Sequence, residues 1–233
     1  MRIASFFYVK FVEMIVEKFV YNEVEPLQIH NTVTEAIDSI RKCDTDCLPV
    51  FKSGTLVNYV CSKNLKGKEG SELLSSLDSY SAVIPYIRSS RHILNALSYL
   101  KSVEMHSMAV LDDNNEFMGL VRTRDLVKAL SQSLTIRSGG AIIVVKMKTR
   151  DYSLADLTRI VEYSDAKLLG ILTFDAETEG EIEVHLKLNT NTLKNVLATM
   201  ERFDYQVIQY FNREDRSEDL NERYENLMNY IDL

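Results

Sequence analysis

The chain has 233 residues, 45% of them hydrophobic and 26% charged, with 8 glycines, 3 prolines, a net charge of −7 and a pI near 5.2. That length accommodates one large domain or two to three small modules, and so little Gly and Pro excludes collagen-like or low-complexity sequence and leaves no Gly-rich phosphate loop. An acidic chain repels a phosphate backbone, which argues against nucleic acid as a partner. No charge-free apolar run approaches the ~18 residues that cross a bilayer, so no membrane role is expected, and the short apolar stretch 3–9 lacks the small-residue cleavage site of a signal peptide.

In chain order, the patterned sequence begins at Met14. A helix is expected over about 34–41, with Ala36, Ile37 and Ile40 on one face and Thr32 or Thr34 as its cap. Asp44 and Asp46 break it, residues 47–51 read as a buried strand, Lys52, Ser53 and Gly54 turn the chain, and 56–60 return. The three cysteines contain no CxxC pair and an odd number, so no disulfide framework is expected and a reducing cytoplasm is. Cys43 and Cys47 read as small buried hydrophobes rather than metal ligands.

The same grammar then recurs. A helix is expected over 92–101 with Ile93, Leu94, Leu97 and Leu100 inward, followed by a strand over 108–111 and the turn cluster Asp112, Asp113, Asn114 and Asn115. A return strand over 117–121 and a helix from 124 complete it. At an offset of 60, Ala36, Ile37, Ile40, Leu48 and Val50 fall on Ala96, Leu97, Leu100, Met108 and Val110, and after one inserted residue Leu65 falls on Leu126. The two return strands end in related octets: Gly119-Leu120-Val121-Arg122-Thr123-Arg124-Asp125-Leu126, and a degraded Asn58-Tyr59-Val60-Cys61-Ser62-Lys63-Asn64-Leu65.

This repeated β-α-β-β-α order, the octets and Leu48-Pro49-Val50 resemble a tandem pair of cystathionine-β-synthase (CBS) domains. The pair would span 14–135, with repeats at about 18–66 and 82–131. The resemblance implies a groove that binds an adenosine-based ligand such as AMP, ADP, ATP or S-adenosylmethionine as a regulator and not as a catalytic cofactor. The signature Asp would take the ribose hydroxyls, since an ionised carboxylate accepts two donors, and a Ser or Thr the phosphate. Asp125 is the intact Asp, and Asn64 replaces it in the first repeat; Arg122 and Cys61 stand where the Ser or Thr belongs, with Thr123 next to Arg122. Asp125 could hold ribose or cap its helix; Arg122 could pair with phosphate, fill the pocket or pair with an acid. Arg88 and Arg91, beside His92, occupy a turn that contributes to the groove in the family, or form an ordinary solvated surface.

The grammar changes after Ser138, Gly139 and Gly140, which read as a hinge. A strand is expected over 141–148, a helix capped by Ser153 to about 163, strands over 167–174 and 181–188, a helix over 193–203 and a last strand over 206–211. The β-α-β-β-α-β order is the ferredoxin-like split unit, and over 140–212 it resembles an ACT domain. The expected fold class is therefore α+β: a CBS pair, then an ACT-like module. This order as a whole resembles the CBS-CBS-ACT proteins of the acetoin-utilisation type. In the ACT effector loop, Asp151 matches the family pattern, but Ser153 and Leu154 replace its Pro and Gly, so dimerisation is favoured over amino-acid binding. The tail 213–233 places Leu220, Tyr224, Leu227 and Ile231 on one stripe of an amphipathic helix that needs a partner surface.

No catalytic constellation accompanies these modules: His30, His92, His106 and His185 share no ligand spacing, and no nucleophile elbow occurs. The reading is a non-catalytic, cytoplasmic regulatory protein, a homodimer that senses an adenosine-type nucleotide and acts on a protein partner the sequence does not identify. The alternative is an assembly module that binds no small ligand.

Overall fold

The computed structural model describes residues 13–77 and 84–212. The helix expected over 213–233 lies outside the described residues, as does the chain before Glu13. The chain divides into two compact units, residues 1–131 and 132–233.

In the first unit, β1 (Leu27–Gln28) pairs parallel with β2 (Cys47–Lys52), which pairs antiparallel with β3 (Thr55–Cys61). Helix α1 (Val33–Cys43) begins in a reciprocal cap: Thr32 Oγ1 accepts from the Glu35 N–H, and a Glu35 carboxylate oxygen accepts from the Thr32 N–H at 2.7 Å. The hydrogen bonds to Thr32 and Asn31 hold the Glu35 carboxyl below the usual carboxylate range. Val33, Ala36, Ile40 and Cys43 form its buried face against Leu48, Val50 and Val60. Ser53 and Gly54, both at positive φ, make the two-residue hairpin turn between β2 and β3. After β3 comes the short α2 (Ser62–Leu65).

The second half repeats this plan with β4 (Tyr86–Arg88) parallel to β5 (Ser107–Leu111), β5 antiparallel to β6 (Phe117–Arg122), α3 (Ile93–Ser102) between them and α4 (Thr123–Ser131) at the end. The cap of α3 is simpler: His92 Nδ1 accepts from the Leu94 N–H at 3.2 Å.

Each half is completed by chain that precedes or follows it. Met14, Val16, Phe19 and Val20 pack in the core of the second half, where the Val16 N–H reaches the Arg91 carbonyl at 2.8 Å. Leu74 and Leu77 pack in the first, and the Leu74 N–H reaches Asn31 O at 2.9 Å. Between the two sheets lies a smaller cluster of Cys47, Tyr59 and Ala109, flanked by Ile84, Met105 and Phe117. Tyr59 ties the halves together: its hydroxyl donates to Pro85 O at 2.7 Å and accepts from the Ala109 N–H at 2.8 Å. Burial pushes this phenol far above its ordinary range, so it stays a neutral donor.

In the second unit, the short α5 (Leu134–Arg137) precedes β7 (Ile142–Lys148), α6 (Leu154–Tyr163), β8 (Leu168–Asp175), β9 (Glu181–Leu188), α7 (Lys194–Arg202) and β10 (Gln206–Phe211). The antiparallel sheet has the order β10-β7-β9-β8. Ile182, Val184, Leu186 and Leu188 point to the core beneath α6 and α7, with Leu157, Ile160, Val196 and Met200 opposite. Glu183, His185 and Lys187 lie on the other face of β9, as strand alternation requires.

The Gly139-Gly140 pair expected as a hinge is held within the second unit. Gly140, at φ 112°, lets the backbone approach Leu188, and its carbonyl accepts from Lys187 Nζ at 2.6 Å. The division falls earlier, between Ser131 and Gln132. Thr135 of α5 is anchored to the carbonyl of Leu169 at 2.8 Å.

Candidate functional site

The related octets at the ends of β3 and β6 are treated differently by the fold. At the first, Asn58, Tyr59, Cys61, Lys63 and Asn64 line a cavity of about 540 Å³. Its other walls are Ile84 and Pro85 ahead of β4, and Tyr99, Val103 and Met105 from α3 and the turn after it. The strand-to-helix junction from β3 to α2 presents the polar members, and the second half supplies the apolar wall. The volume falls within the range of small-molecule pockets. Its polar side chains are two carboxamides, one ammonium and the two tyrosines Tyr59 and Tyr99; the Asn58 Oδ1 is already engaged by the Tyr59 N–H at 2.9 Å.

At the second octet, a cation fills the corresponding position. Arg122 is 8% exposed. Its Nε donates to Asp125 Oδ2 at 2.6 Å, a terminal nitrogen donates to the Cys43 carbonyl at 3.1 Å, and the guanidinium lies 3.7 Å from the centroid of the Tyr21 ring. Of the three sequence readings of Arg122, the structure displays pairing with a neighbouring acid. Asp125 is brought together with Arg122 and shares its carboxylate with it. Thr123 opens α4, its hydroxyl donating to His106 O at 3.2 Å. Gly119, at φ 139°, admits the incoming chain: the Tyr21 and Leu120 backbones bond reciprocally at 2.8 and 2.9 Å, and a Cβ at Gly119 would overlap Tyr21 O and Val20.

Arg88 and Arg91 are not brought to this cavity. Arg88 braces the β5–β6 turn through Asp112 O and, at 2.6 Å, Asn115 Oδ1. Arg91 is exposed, and its carbonyl receives the Val16 N–H.

One sequence expectation is overturned here. Cys47 and Cys61, directly opposed on β2 and β3, form a disulfide across 14 residues of sequence, with their Cα atoms 4.0 Å apart. Cys43 is free and buried, and burial pushes its thiol up. Spacing rules look for CxxC or dense cysteine frameworks; this pair is created by hairpin register, which no spacing rule encodes.

In the second unit, Ser153 accepts the Asp156 N–H at 3.3 Å as the cap of α6, and Asp151 ends the preceding turn beside Arg150 at 3.6 Å. Asp151 also lines a cavity of about 550 Å³ together with Lys146, Asp156, Arg159, Glu181 and Tyr205. Four of its charges pair with one another: Lys146 with Glu181 at 2.8 Å and Arg159 with Asp156 at 2.8 Å. These contacts raise the Lys146 ammonium and lower the Glu181 carboxyl relative to their ordinary values. Among the described residues, no group of three or more His, Cys, Asp or Glu side chains is placed to hold a metal ion. No described helix is long and apolar enough to cross a membrane.

Sequence reasoning named Asn64 and Cys61 but missed Tyr59, Lys63 and Tyr99 as cavity residues and Tyr21 as the partner of Arg122. The offset of 60 that aligns the repeated helices also pairs the helix ends Cys43 and Val103. Each lies against the octet of the other half, and this crosswise relation was the available signal.

Residues 80–132 match the CBS domain family. No curated protein matches the chain. Among solved structures, the chain is similar to a CBS domain pair/ACT domain protein from Thermotoga maritima at 20% identity, covering 50% of this chain and 96% of that one with a TM-score of 0.44. It is similar to the CBS domains of a transcriptional regulator from Streptococcus pneumoniae at 23% identity, covering 49% and 97% with a TM-score of 0.43. It is also similar to CBSX2, solved in complex with AMP, at 18% identity, covering 52% and 98% with a TM-score of 0.43. The second half of the first unit, residues 80–132, carries a CBS domain.

Proposed function

We propose that the chain is a non-catalytic regulatory protein that senses an adenosine-type nucleotide through a CBS pair. The observation that carries this reading is the cavity at Asn58, Tyr59, Cys61, Lys63 and Asn64, which opens at the signature of one repeat and is walled by the other. A ligand there touches both halves, so it favours the arrangement of the halves that it fits best, which is how binding becomes a signal. Tyr99, Pro85 and Ile84 offer an apolar wall to a purine, Asn64 a hydrogen-bonding partner to ribose, and Lys63 a charge to phosphate. Asp125, Arg122 and Thr123 form a second, closed site that accepts ligand only when Arg122 releases the Asp125 carboxylate; Arg88 and Arg91 serve the scaffold.

The test is calorimetric titration of the full chain with AMP, ADP, ATP and S-adenosylmethionine. The expected result is saturable binding of at least one, weakened about tenfold in Asn64→Ala, as removal of a hydrogen bond to ligand predicts. Silence from all four compounds overturns the reading.

A second reading is carried by the exposed Leu172 and Phe174 of β8. The second unit is then an ACT-like module of an acetoin-utilisation-type protein that holds a homodimer together, with Asp151 and Ser153 as helix-entry residues rather than effector ligands. On this reading the light-scattering mass of the full chain is that of a dimer and ignores nucleotides, and it falls on removal of 213–233. A monomeric full chain overturns it. We place the protein in the cytoplasm, where the Cys47–Cys61 disulfide would be subject to reduction by the thiol pool.

A further inference from the structure

We propose that the Cys47–Cys61 disulfide is a modification site for low-molecular-weight thiols, addressed at Cys61 through the cavity and coupled to occupancy of that cavity. The coupling rests on the nucleotide reading above; the route of attack does not.

Three observations carry it. First, the two sulfurs differ in access: Cys47 is 3% exposed, whereas Cys61 is half-buried and lines the cavity. Thiol–disulfide exchange needs a thiolate to approach one sulfur, so the open side decides which is attacked. Secondly, the disulfide lies on the sheet face that meets the other repeat, beside Tyr59, Ala109 and Met105. The Cys47 carbonyl accepts from Ser107 Oγ of that repeat at 3.1 Å. Thirdly, Cys61 occupies the octet position that holds Arg122 in the second half. A change at this sulfur therefore alters the wall from which a ligand would be read.

An external thiolate attacks Cys61 Sγ, a new S–S bond forms between them, and the Cys47–Cys61 bond breaks with its electron pair going to Cys47 Sγ. Cys47 takes a proton from solvent. A second external thiol attacks the sulfur of the first, releasing the Cys61 thiolate, which is protonated in turn. Two thiols are oxidised to one disulfide, and the protein disulfide is reduced to two thiols. Two unbonded sulfurs need more room than the ~2.05 Å of a disulfide. The strand carrying Cys47 is buried along Cys47–Phe51, so Cys61 is the side chain that moves, into the cavity.

The experiment uses the full chain, air-oxidised, treated with reduced glutathione, quenched with iodoacetamide over time and mapped by peptide mass spectrometry. The expected intermediate carries glutathione on Cys61 and carbamidomethyl on Cys47. Glutathione on Cys47 first, or three free thiols in the oxidised protein, overturns the proposal. Met105→Trp, which fills the cavity from the opposite wall, should slow the first step about fivefold or more, in line with access control of exchange; an unchanged rate overturns it. A circular-dichroism melt confirms that Met105→Trp is folded, and Val103→Phe is the replacement if it is not. AMP is the ligand probe. Slowing by AMP, with a Kd that differs between oxidised and reduced protein, supports the coupling. AMP that binds both forms equally overturns the coupling and leaves the nucleotide reading standing. AMP that binds neither form overturns the coupling to AMP, the nucleotide reading falls only if ADP, ATP and S-adenosylmethionine are silent as well, and the Cys61-first attack stands or falls on its own chemistry.

Discussion

The two octets of the first unit share a backbone plan and differ in what fills the space beside it. At Gly119–Leu126 a buried guanidinium is stacked on Tyr21 and bonded to Asp125 and the Cys43 carbonyl. At Asn58–Leu65 the equivalent residue is Cys61, whose short side chain is drawn back to β2 by the disulfide, and a cavity remains. The lesson is that an intact signature is no guide to an open site. The better-preserved octet has its carboxylate engaged by its own arginine, and the degraded one lines a cavity of about 540 Å³.

The contrast can be broken most severely at Arg122. Arg122→Ala removes a buried cation from two hydrogen bonds and a ring and leaves Asp125 without its partner, a loss of about 3 kcal/mol; an Asn64 substitution in the other octet, which leaves the disulfide intact, should cost much less. Urea denaturation reads the difference, and equal losses at the two octets would erase the contrast. Next is Gly119→Ala, where a Cβ meets the Tyr21 carbonyl at a φ that L residues rarely adopt. A loss of about 2 kcal/mol is expected, whereas Asn58→Ala at the matching position should stay within about 1 kcal/mol.

Tyr59→Phe probes the bond between the halves. It leaves the Ala109 N–H and Pro85 carbonyl unsatisfied in a buried setting, which costs about 1–3 kcal/mol. The melt should remain a single transition at lower temperature. The smallest effects compare the helix entries. Thr32→Ala removes half of a reciprocal cap and costs about 1 kcal/mol, more than His92→Ala at α3. The Glu35 half of that cap also carries a pH signature. Its carboxyl is lower in the folded chain than its ordinary 4.5, so its contribution is complete above that value and is lost as pH falls through the depressed one. The stability difference between wild type and Glu35→Gln should therefore be constant near neutrality and shrink under acid, and a difference that grows under acid would contradict the cap.

Much of the fold was legible because it is local. The apolar spacing of Ala36, Ile37 and Ile40, the cap at Ser153 and the alternation through β9 each need only a few neighbouring residues to be read. Element ends moved by one or two residues, as frayed termini do. The site was legible only in part. Asn64 and Cys61 stood out by comparison with the second octet, but Tyr59 read as an ordinary strand residue. Its role arises from Pro85 and Ala109, which lie 26 and 50 residues away.

The sequence by itself determined the repeat, the order of strands and helices, and the change of architecture before β7, because periodicity, caps and turn residues act over short spans. Only the tertiary structure decided that the chain before each repeat packs into the other, that Arg122 is spent on Asp125 and Tyr21, and that Cys47 meets Cys61. Those outcomes depend on register and on contacts that reach across as much as 101 residues of chain, from Tyr21 to Arg122. Such contacts are chosen by the packing of whole faces and not by the residues next to them in sequence.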